Sequence, residues 1–218
     1  MEAKFSSNRL FSSQKTVPML QLEKQKKTYM KLKDCLSFIL AILLLPVLFV
    51  LGLLVSLAIV LDSSGSPLYS QQRLGLNGKV FSIYKFRSMV VDAEKSGSQW
   101  AEKDDQRVTR VGRFLRKTRL DELPQLINIL KGDMHFIGPR PERPDLAAEF
   151  TRTIPDFSDR LLVKPGLTGL AQVNGGYDLN PAQKLNYDKN YIASYNFKTD
   201  LLILLQTVRV IVTGDGAR

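Results

Sequence analysis

The stretch RKTRLDELPQLINILKGDMHFIGPRP, residues 116–141, places an acidic pair, Asp121 and Glu122, between basic residues and a Gly-Pro-Arg-Pro turn. Pro124 fits only the first turn of a helix, so the sequence predicts a helix that begins at the acidic pair and runs to about Lys131. Carboxylates at a helix start with arginines nearby suit a site for phosphate and a divalent metal ion. The structural alternative is an N-cap at Asp121 with Glu122 balancing the helix dipole.

Arginines flank the acidic pair on both sides. Arginine recurs every third residue from Arg107 to Arg119. Because an α-helix has 3.6 residues per turn, this series winds around a predicted basic amphipathic helix. Only Arg116 and Arg119, nearest the acidic pair, are therefore candidates for its chemistry. On the other side, two prolines restrict the backbone around Arg140 and favour bidentate contact with a phosphate.

The charge of the chain is unevenly distributed. It has 218 residues and a net charge of +10, which is typical of proteins that bind nucleic acid, anionic lipid or phosphorylated ligands. Residues 1–34 hold 8 basic and 3 acidic side chains, and residues 35–61 hold no charge. Half of the excess charge therefore precedes an apolar segment, as in a membrane-surface anchor, and the remainder of the chain is only mildly basic.

The uncharged run of 27 residues, residues 35–61, is long enough to cross a bilayer as a helix. Pro46 lies near its middle and predicts a kink or a break into two half-helices. The lysines from Lys24 to Lys33 are expected at the lipid head groups, and basic residues also follow the run. A re-entrant helix that bends at Pro46 keeps both flanks cytoplasmic, whereas a kinked span does not. The residues alone leave both topologies open.

Three regions are predicted: a tail at residues 1–33, a membrane helix at residues 34–62 and a catalytic domain at residues 63–218. The fold class is expected to be mostly α with a small β-hairpin, an α+β domain. Two short strands around Asn77-Gly78 form the hairpin, because this dipeptide is favoured in tight turns. Further amphipathic helices are expected to lie at the membrane interface.

Five polar residues outside the acidic region are possible substrate-binding residues. Lys85 and Arg87 lie on the second strand of the hairpin, where a solvated or lipid-facing basic edge is the alternative. Lys164, Gln172 and Asn174 lie in a later loop rich in Gly and Pro, which is otherwise explained by turns.

Several colinear stretches run from about Lys31 to the C-terminus. They are the apolar segment with its proline, SPLYSQQRLGLNGKVFSIYKFRSM, RKTRLDELPQLINILKGDM, IGPRPERP, VKPGLTGLAQVNG and GDGAR. Together they resemble the bacterial sugar transferases, the monotopic polyprenyl-phosphate sugar-1-phosphate transferases that initiate capsule and exopolysaccharide assembly. The length of the series distinguishes this match from an isolated Asp-Glu pair.

The resemblance implies transfer of a sugar-1-phosphate from a UDP-sugar to polyprenyl (undecaprenyl) phosphate with release of UMP. It implies that Asp121 is the nucleophile of a covalent aspartyl-phosphosugar intermediate and that Glu122 binds Mg²⁺. Arg116 and Arg140 would hold phosphate. It also implies a bacterial inner-membrane protein with a re-entrant helix broken at Pro46 and a catalytic domain on the cytoplasmic face. A hexose is the expected sugar, membrane lipid is an expected partner, and a homo-oligomer is possible.

Two residues depart from the family pattern. Leu45 precedes Pro46 where the family has Ser, which leaves the geometry of the bend open. His135, the only histidine, stands where a small residue is expected. From its surroundings in the sequence, His135 is interpreted as a packing or hydrogen-bonding residue and not as a catalytic base.

The competing hypothesis is a non-catalytic, membrane-anchored adaptor whose basic helix binds anionic lipid or nucleic acid. The near-neutral charge balance of the soluble part argues against it, as does the lack of a recognisable nucleic-acid module. No nucleic acid is therefore expected as a partner.

Overall fold

A computed structural model of the chain describes residues 24–95 and 105–213. The first 23 residues of the predicted tail and the C-terminal GDGAR sequence lie outside these residues. The described parts are mostly helical with two small sheets, so the predicted α+β class is confirmed.

The first element is a single long helix, α1, Lys24–Asp62, of 39 residues. It begins well before the predicted start at residue 34, within the last third of the predicted tail. The part Thr28–Asp62 is long and apolar enough to cross a membrane by length and composition. The helix continues through Pro46 without interruption, so the predicted break into two separate half-helices is wrong. One missing hydrogen bond is tolerated because long helical segments on both sides supply the others.

The hairpin follows α1 as predicted. Strand β1, Leu68–Leu74, pairs with strand β2, Val80–Phe86, in an antiparallel register that aligns Leu74 with Val80. The chain reverses through Asn77 and Gly78, which have φ values of 54° and 77°. Asparagine and glycine adopt this left-handed conformation at low cost, which explains why the dipeptide identifies the turn.

The remaining helices are much shorter than α1, and the remaining strands are short. They are α2 (Arg110–Thr118), a 3-10 helix (Leu120–Gln125), α3 (Leu126–Leu130), β3 (His135–Ile137), α4 (Pro144–Thr153), a 3-10 helix (Phe157–Leu162), β4 (Gly166–Thr168), α5 (Leu170–Val173), a 3-10 helix (Gly176–Asp178), α6 (Pro181–Ala193) and α7 (Phe197–Thr213). Strands β3 and β4 form a two-stranded parallel sheet.

One face of α1 packs against the domain along most of the helix. Near its start, Tyr29 and Met30 join the apolar cluster around Tyr191. Ala41 is fully buried against residues of β2 and α3. Near its end, Val55 joins a cluster that includes side chains from β2 and α2. The helix therefore contacts the same domain at both ends and in the middle.

The other side of α1 exposes apolar side chains, and so do α2 and α7. On α1 they include Leu43, Phe49 and Leu61, and on α2 the exposed side chain is Phe114. On α7 they are Phe197, Leu201, Leu202, Leu204, Leu205, Val208, Ile211 and Val212. Apolar faces of this extent are suited to lipid contact. The interfacial position of α2 and α7 stays a prediction.

A buried polar cluster ties the start of α1 to α6 and α7. Lys33 is only 4% exposed, and its Nζ lies 2.6 Å from Asp200 Oδ2. The same carboxylate accepts hydrogen bonds from the hydroxyls of Tyr29, at 2.6 Å, and Tyr191, at 2.8 Å. The expected position of Lys33 at the lipid head groups is therefore wrong. Its charge is balanced inside the domain by a carboxylate 167 residues later in the chain.

Candidate active site

The acidic pair lies in the first turn of the 3-10 helix Leu120–Gln125, which leads directly into α3. Its predicted position at a helix start is confirmed, although the first turn is 3-10 and not α. Arg119 precedes the turn with a left-handed backbone, φ 60° and ψ 13°, and occupies the N-cap position. Asp121 is therefore not the N-cap, and the structural alternative for this residue is wrong.

Two cations converge on the buried carboxylates. Asp121 and Glu122 are each 7% exposed. Lys85 Nζ lies 3.2 Å from Glu122 Oε1 and 3.9 Å from Asp121 Oδ2. Arg140 Nη2 donates to the same Glu122 oxygen at 2.7 Å. Glu122 Oε1 thus takes two short contacts, whereas the ion pair between Asp121 and the lysine is longer.

The unequal bonding separates the acidities of the two carboxyl groups. Burial raises the pKa of Asp121, since the attraction of Lys85 and Arg140 offsets the loss of solvent only in part and Glu122 adds repulsion. Burial alone would raise the pKa of Glu122 as well, but Arg140 and Lys85 outweigh it and hold that pKa well below its usual range. Glu122 is therefore held as an anion, and Asp121 is the more basic of the two carboxyl groups.

A cavity of about 390 Å³ is lined by Lys85 and Arg140, the two partners of Glu122, but not by Asp121 or Glu122 themselves. Among the described residues, ten basic side chains and two acidic ones, Glu94 and Glu142, line it. The basic residues are Arg73, Lys85, Arg87, Arg107, Arg116, Arg119, Arg140, Arg143, Arg160 and Lys184. A concave site with this excess of guanidinium groups is suited to a diphosphate or another multiply charged anion.

The arginine series follows its predicted distribution only in part, because α2 begins at Arg110 and Arg107 lies before it. Arg107, Arg116 and Arg119 line the cavity, whereas Arg110 and Arg113 are exposed to solvent. The structure thus brings both predicted phosphate ligands, Arg116 and Arg140, to the cavity that holds Lys85 in its wall.

The other predicted substrate-binding residues fall into two groups. Arg87 and Gln172 line the cavity, but the Arg87 guanidinium is engaged by backbone carbonyls and Gln172 Nε2 donates to Leu167 O at 2.8 Å. Lys164 and Asn174 are not among the residues that line this cavity. Asn174 Nδ2 donates to Leu170 O at 2.8 Å, close to the end of α5.

Lys164 lies with Asp34 and His135 beside α1. Its Nζ is 2.6 Å from Asp34 Oδ1, and His135 Nε2 is 2.7 Å from the same oxygen. Burial lowers the pKa of His135 to about 4, even though the hydrogen bond with Asp34 opposes this shift. His135 is therefore neutral at physiological pH and buried, which confirms its interpretation as a packing and hydrogen-bonding residue.

Sequence reasoning missed a set of residues that position the Arg140 loop. Arg160 is buried; it donates to Arg140 O at 3.0 Å and pairs with Asp188 Oδ2 at 2.7 Å. Arg73 and Arg143 also line the cavity. Arg143 could have been identified from the sequence, because it closely follows the Gly-Pro-Arg-Pro turn. No local sequence pattern connects residues 140, 160 and 188.

Residues 24–95 and 105–213 contain no group of three or more acidic, His or Cys side chains that could hold a metal ion. A Mg²⁺ ion commonly uses one or two carboxylates and completes its shell with water and substrate phosphates. Asp121 and Glu122 fit that kind of site and would not form a complete protein cage.

The comparisons with known proteins agree on one protein family. Residues 28–214 match the family described as Bacterial sugar transferase. A UDP-N-acetylgalactosamine-undecaprenyl-phosphate N-acetylgalactosaminephosphotransferase of Aeromonas hydrophila is 42% identical over 193 residues, which are 87% of this chain and 46% of the relative. A UDP-glucose:undecaprenyl-phosphate glucose-1-phosphate transferase of Caulobacter vibrioides is 41% identical over 85% of this chain and 71% of the relative.

A third relative shows a further sugar. The undecaprenyl-phosphate galactose phosphotransferase of Salmonella typhimurium is 41% identical over 70% of this chain and 35% of its own length. The chain thus spans about half of the Aeromonas protein and about a third of the Salmonella protein. The three names share the lipid acceptor and differ in the sugar.

Proposed function

Because the chain belongs to the bacterial sugar transferase family, we propose that it transfers a sugar-1-phosphate from a UDP-sugar to undecaprenyl phosphate. The observation that carries the proposal is the buried acidic pair, whose partners Lys85 and Arg140 line a cation-rich cavity. The cavity suits the donor's diphosphate, and the relatives' names supply the two substrates. The sugar is proposed to be a hexose, as in two of the three relatives.

The proposed reaction has two displacements at the β-phosphorus of the donor. An Asp121 carboxylate oxygen attacks this phosphorus, the bond to the bridging oxygen breaks, and UMP leaves with that oxygen. A phosphate oxygen of the acceptor then attacks the same phosphorus, and Asp121 is released as a carboxylate. Dividing the transfer into two steps means that the soluble donor and the lipid acceptor need not bind together.

The surrounding charges have separate tasks in this scheme. Arg116 and Arg140 bind the donor's phosphates, and the charge that they offset increases as UMP departs. Lys85, 3.9 Å from Asp121 Oδ2, favours the ionised form that attacks. Mg²⁺, when bound by Glu122 and the substrate's phosphates, would reduce the diphosphate's negative charge. Transfer of the sugar phosphate to polyprenyl phosphate, with release of UMP, is the first step in the assembly of a polysaccharide repeat unit.

We propose a re-entrant course for α1, with the domain on the cytoplasmic face of the bacterial inner membrane. The support is that both ends of α1 bond to one domain. Lys33 pairs with Asp200 near the start, and Asp62 Oδ2 accepts from Val111 N at 2.9 Å at the end. A helix that crossed the membrane would carry one of these ends to the far side, away from its partner. Pro46 lies on the exposed side, where a proline favours bending toward the opposite, packed side.

The test is UMP release by the purified full chain in detergent or nanodiscs with Mg²⁺, undecaprenyl phosphate and a panel of UDP-sugars. At least one UDP-hexose should give UMP and a lipid-linked sugar phosphate, and Asp121→Asn should give neither. Asp156→Asn, which alters an exposed carboxylate 3.6 Å from Lys189 Nζ, is the matched control and should behave as the wild type. Full activity of Asp121→Asn would show that Asp121 is not the nucleophile. Turnover of no UDP-sugar would contradict the transferase itself.

A further inference from the structure

Arg87 is buried next to the end of α1 and does not point its guanidinium to open solvent. Its Nη1 donates to Ser64 O and its Nη2 to Ser63 O, each at 2.6 Å. These carbonyls belong to the two residues that directly follow α1. A charge-assisted pair of hydrogen bonds from one planar guanidinium fixes their position. Arg87 thus joins the hairpin to the end of the membrane helix.

Ser88, the residue after Arg87, connects this end of the hairpin to Arg116 at the candidate site. Its Oγ accepts a hydrogen bond from Arg116 Nε at 2.9 Å, and its carbonyl accepts from Thr109 N at 3.1 Å. Because Ser88 uses only the Nε–H of Arg116, the terminal Nη groups of that arginine remain able to bind a phosphate. Thr109 is the N-cap of α2, so Ser88 holds both the start of this helix and the arginine in its last turn.

A second connection runs parallel to the first. Asp62, the last residue of α1, accepts a hydrogen bond from the backbone of Val111 in the first turn of α2. The end of α1 and the helix that carries Arg116 are therefore joined both directly and through Arg87 and Ser88.

We propose that Arg87 and Ser88 are positioning residues that set the Arg116 guanidinium relative to the end of the membrane helix, and that neither binds the donor. This inference rests on the proposed function, in which Arg116 holds a phosphate. It changes the role that sequence reasoning gave to Arg87. Since small displacements of a phosphate-binding group lower the rate strongly, the hydroxyl of Ser88 and the guanidinium of Arg87 control catalysis without touching substrate.

The first test is a double-mutant cycle on the transfer rate. Ser88→Ala should lower kcat/KM on the order of 10-fold, because Arg116 loses its fixed orientation. Arg116→Ala should lower it further, and Ser88→Ala should then have no additional effect in the Arg116→Ala background. Effects of the two substitutions that multiply would show that Ser88 acts independently of Arg116 and would overturn the proposal.

A second pair of variants displaces Arg87 without removing it. A Cβ at Gly65 would overlap the Arg87 Nη1 atom, so Gly65→Ala should reproduce the loss seen with Arg87→Ala. Gly132→Ala is the matched control, because Gly132 also has a positive φ, 76°, and its Cβ would meet only Lys164 Nζ, at 3.9 Å. Wild-type transfer rates in Gly65→Ala would contradict the role of the Arg87 contact, as would an equal loss in Gly132→Ala.

A measurement without turnover separates this inference from the proposed function. In NMR spectra of the full chain in micelles, the Arg116 Nε–H signal is identified by its absence in Arg116→Lys. Its exchange with water should accelerate in Ser88→Ala and Arg87→Ala, whereas Gly132→Ala should leave it unchanged. Unchanged exchange in Ser88→Ala would refute the positioning contact, whether or not any UDP-sugar is turned over. A chain that shows the accelerated exchange but no transfer would contradict the proposed function alone.

Discussion

Two buried charge clusters in this protein use the same residue types to different ends. Near the start of α1, Asp200 is paired with Lys33 at 2.6 Å and accepts two tyrosine hydroxyls, so both of its oxygens are bonded. At the candidate site, Lys85 and Arg140 both bond to Glu122 Oε1, and the ion pair between Asp121 and Lys85 is longer, at 3.9 Å.

The difference shows how one chain separates stability from reactivity. A buried carboxylate whose oxygens are all bonded holds the groups around it in place and stabilises their packing. A buried carboxylate that is bonded incompletely keeps a raised pKa and accessible electron pairs. The first cluster therefore fixes the helix to the domain, whereas in the second Glu122 Oε1 takes both short contacts and Asp121 keeps a raised pKa.

The largest expected effect is on activity at the second cluster. Asp121→Asn should lower the transfer rate by more than about 1,000-fold, because the amide cannot form the covalent intermediate. The same variant should unfold at the same or a higher temperature at neutral pH, since an ionised carboxylate with a raised pKa costs stability above that pKa. The measurement pairs UMP release with thermal unfolding. A variant that loses both activity and several degrees of unfolding temperature would make Asp121 a structural residue.

The next effect is on stability at the first cluster. Asp200→Asn leaves the Lys33 ammonium buried without its counter-charge, so the free energy of unfolding should fall by about 3 to 5 kcal/mol. Denaturant unfolding in micelles measures it, with Asp156→Asn as the exposed control. Any folded fraction of Asp200→Asn should still release UMP. An unchanged unfolding midpoint would mean that this cluster does not hold α1 on the domain.

A pH profile addresses the link between the two carboxylates and Lys85. Asp121 must be ionised to attack, and Lys85 lowers its pKa while burial raises it. In Lys85→Met the pKa of Asp121 should therefore rise further, and the acidic limb of kcat/KM should move to higher pH. The position of this limb is read from rates measured across the acidic range. A limb that stays in place or moves to lower pH would separate Lys85 from the ionisation of the pair.

The smallest effect is expected at the third charged group, beside α1. Lys164→Ala should change the transfer rate by no more than about twofold and the stability by less than about 1 kcal/mol, because its pair with Asp34 is half exposed and lies away from the cavity. Steady-state rates with the active UDP-sugar check this expectation. A loss of 100-fold would restore Lys164 to the substrate-binding role that its sequence position suggested.

Sequence reasoning succeeded where the signal is local. The Asn77-Gly78 turn and the helix start at the acidic pair depend on neighbouring residues, and the structure confirms both of them. It failed where partners are distant. Lys33 is buried because it pairs with Asp200, and Lys164 lies outside the cavity lining because it pairs with Asp34. Neither contact has a local pattern.

Pro46 and Arg87 are two further residues whose behaviour depends on tertiary contacts that neighbouring residues do not predict. A proline predicts a weakened helix, but packing of α1 against the domain keeps the helix continuous. A basic residue on a strand near an acidic pair predicts a ligand contact. Only the three-dimensional arrangement shows the Arg87 guanidinium donating to the carbonyls at the end of α1.

The covalent step at Asp121 is tested most directly by the intact mass of the full chain after incubation with the active UDP-sugar and Mg²⁺ but without acceptor. One sugar-phosphate should be added per chain with release of one UMP, the added mass should map to the peptide that contains Asp121, and undecaprenyl phosphate should remove it. Asp121→Asn should gain no mass. A chain that turns over only when both substrates are present, with no mass gain at any time, would contradict the covalent mechanism.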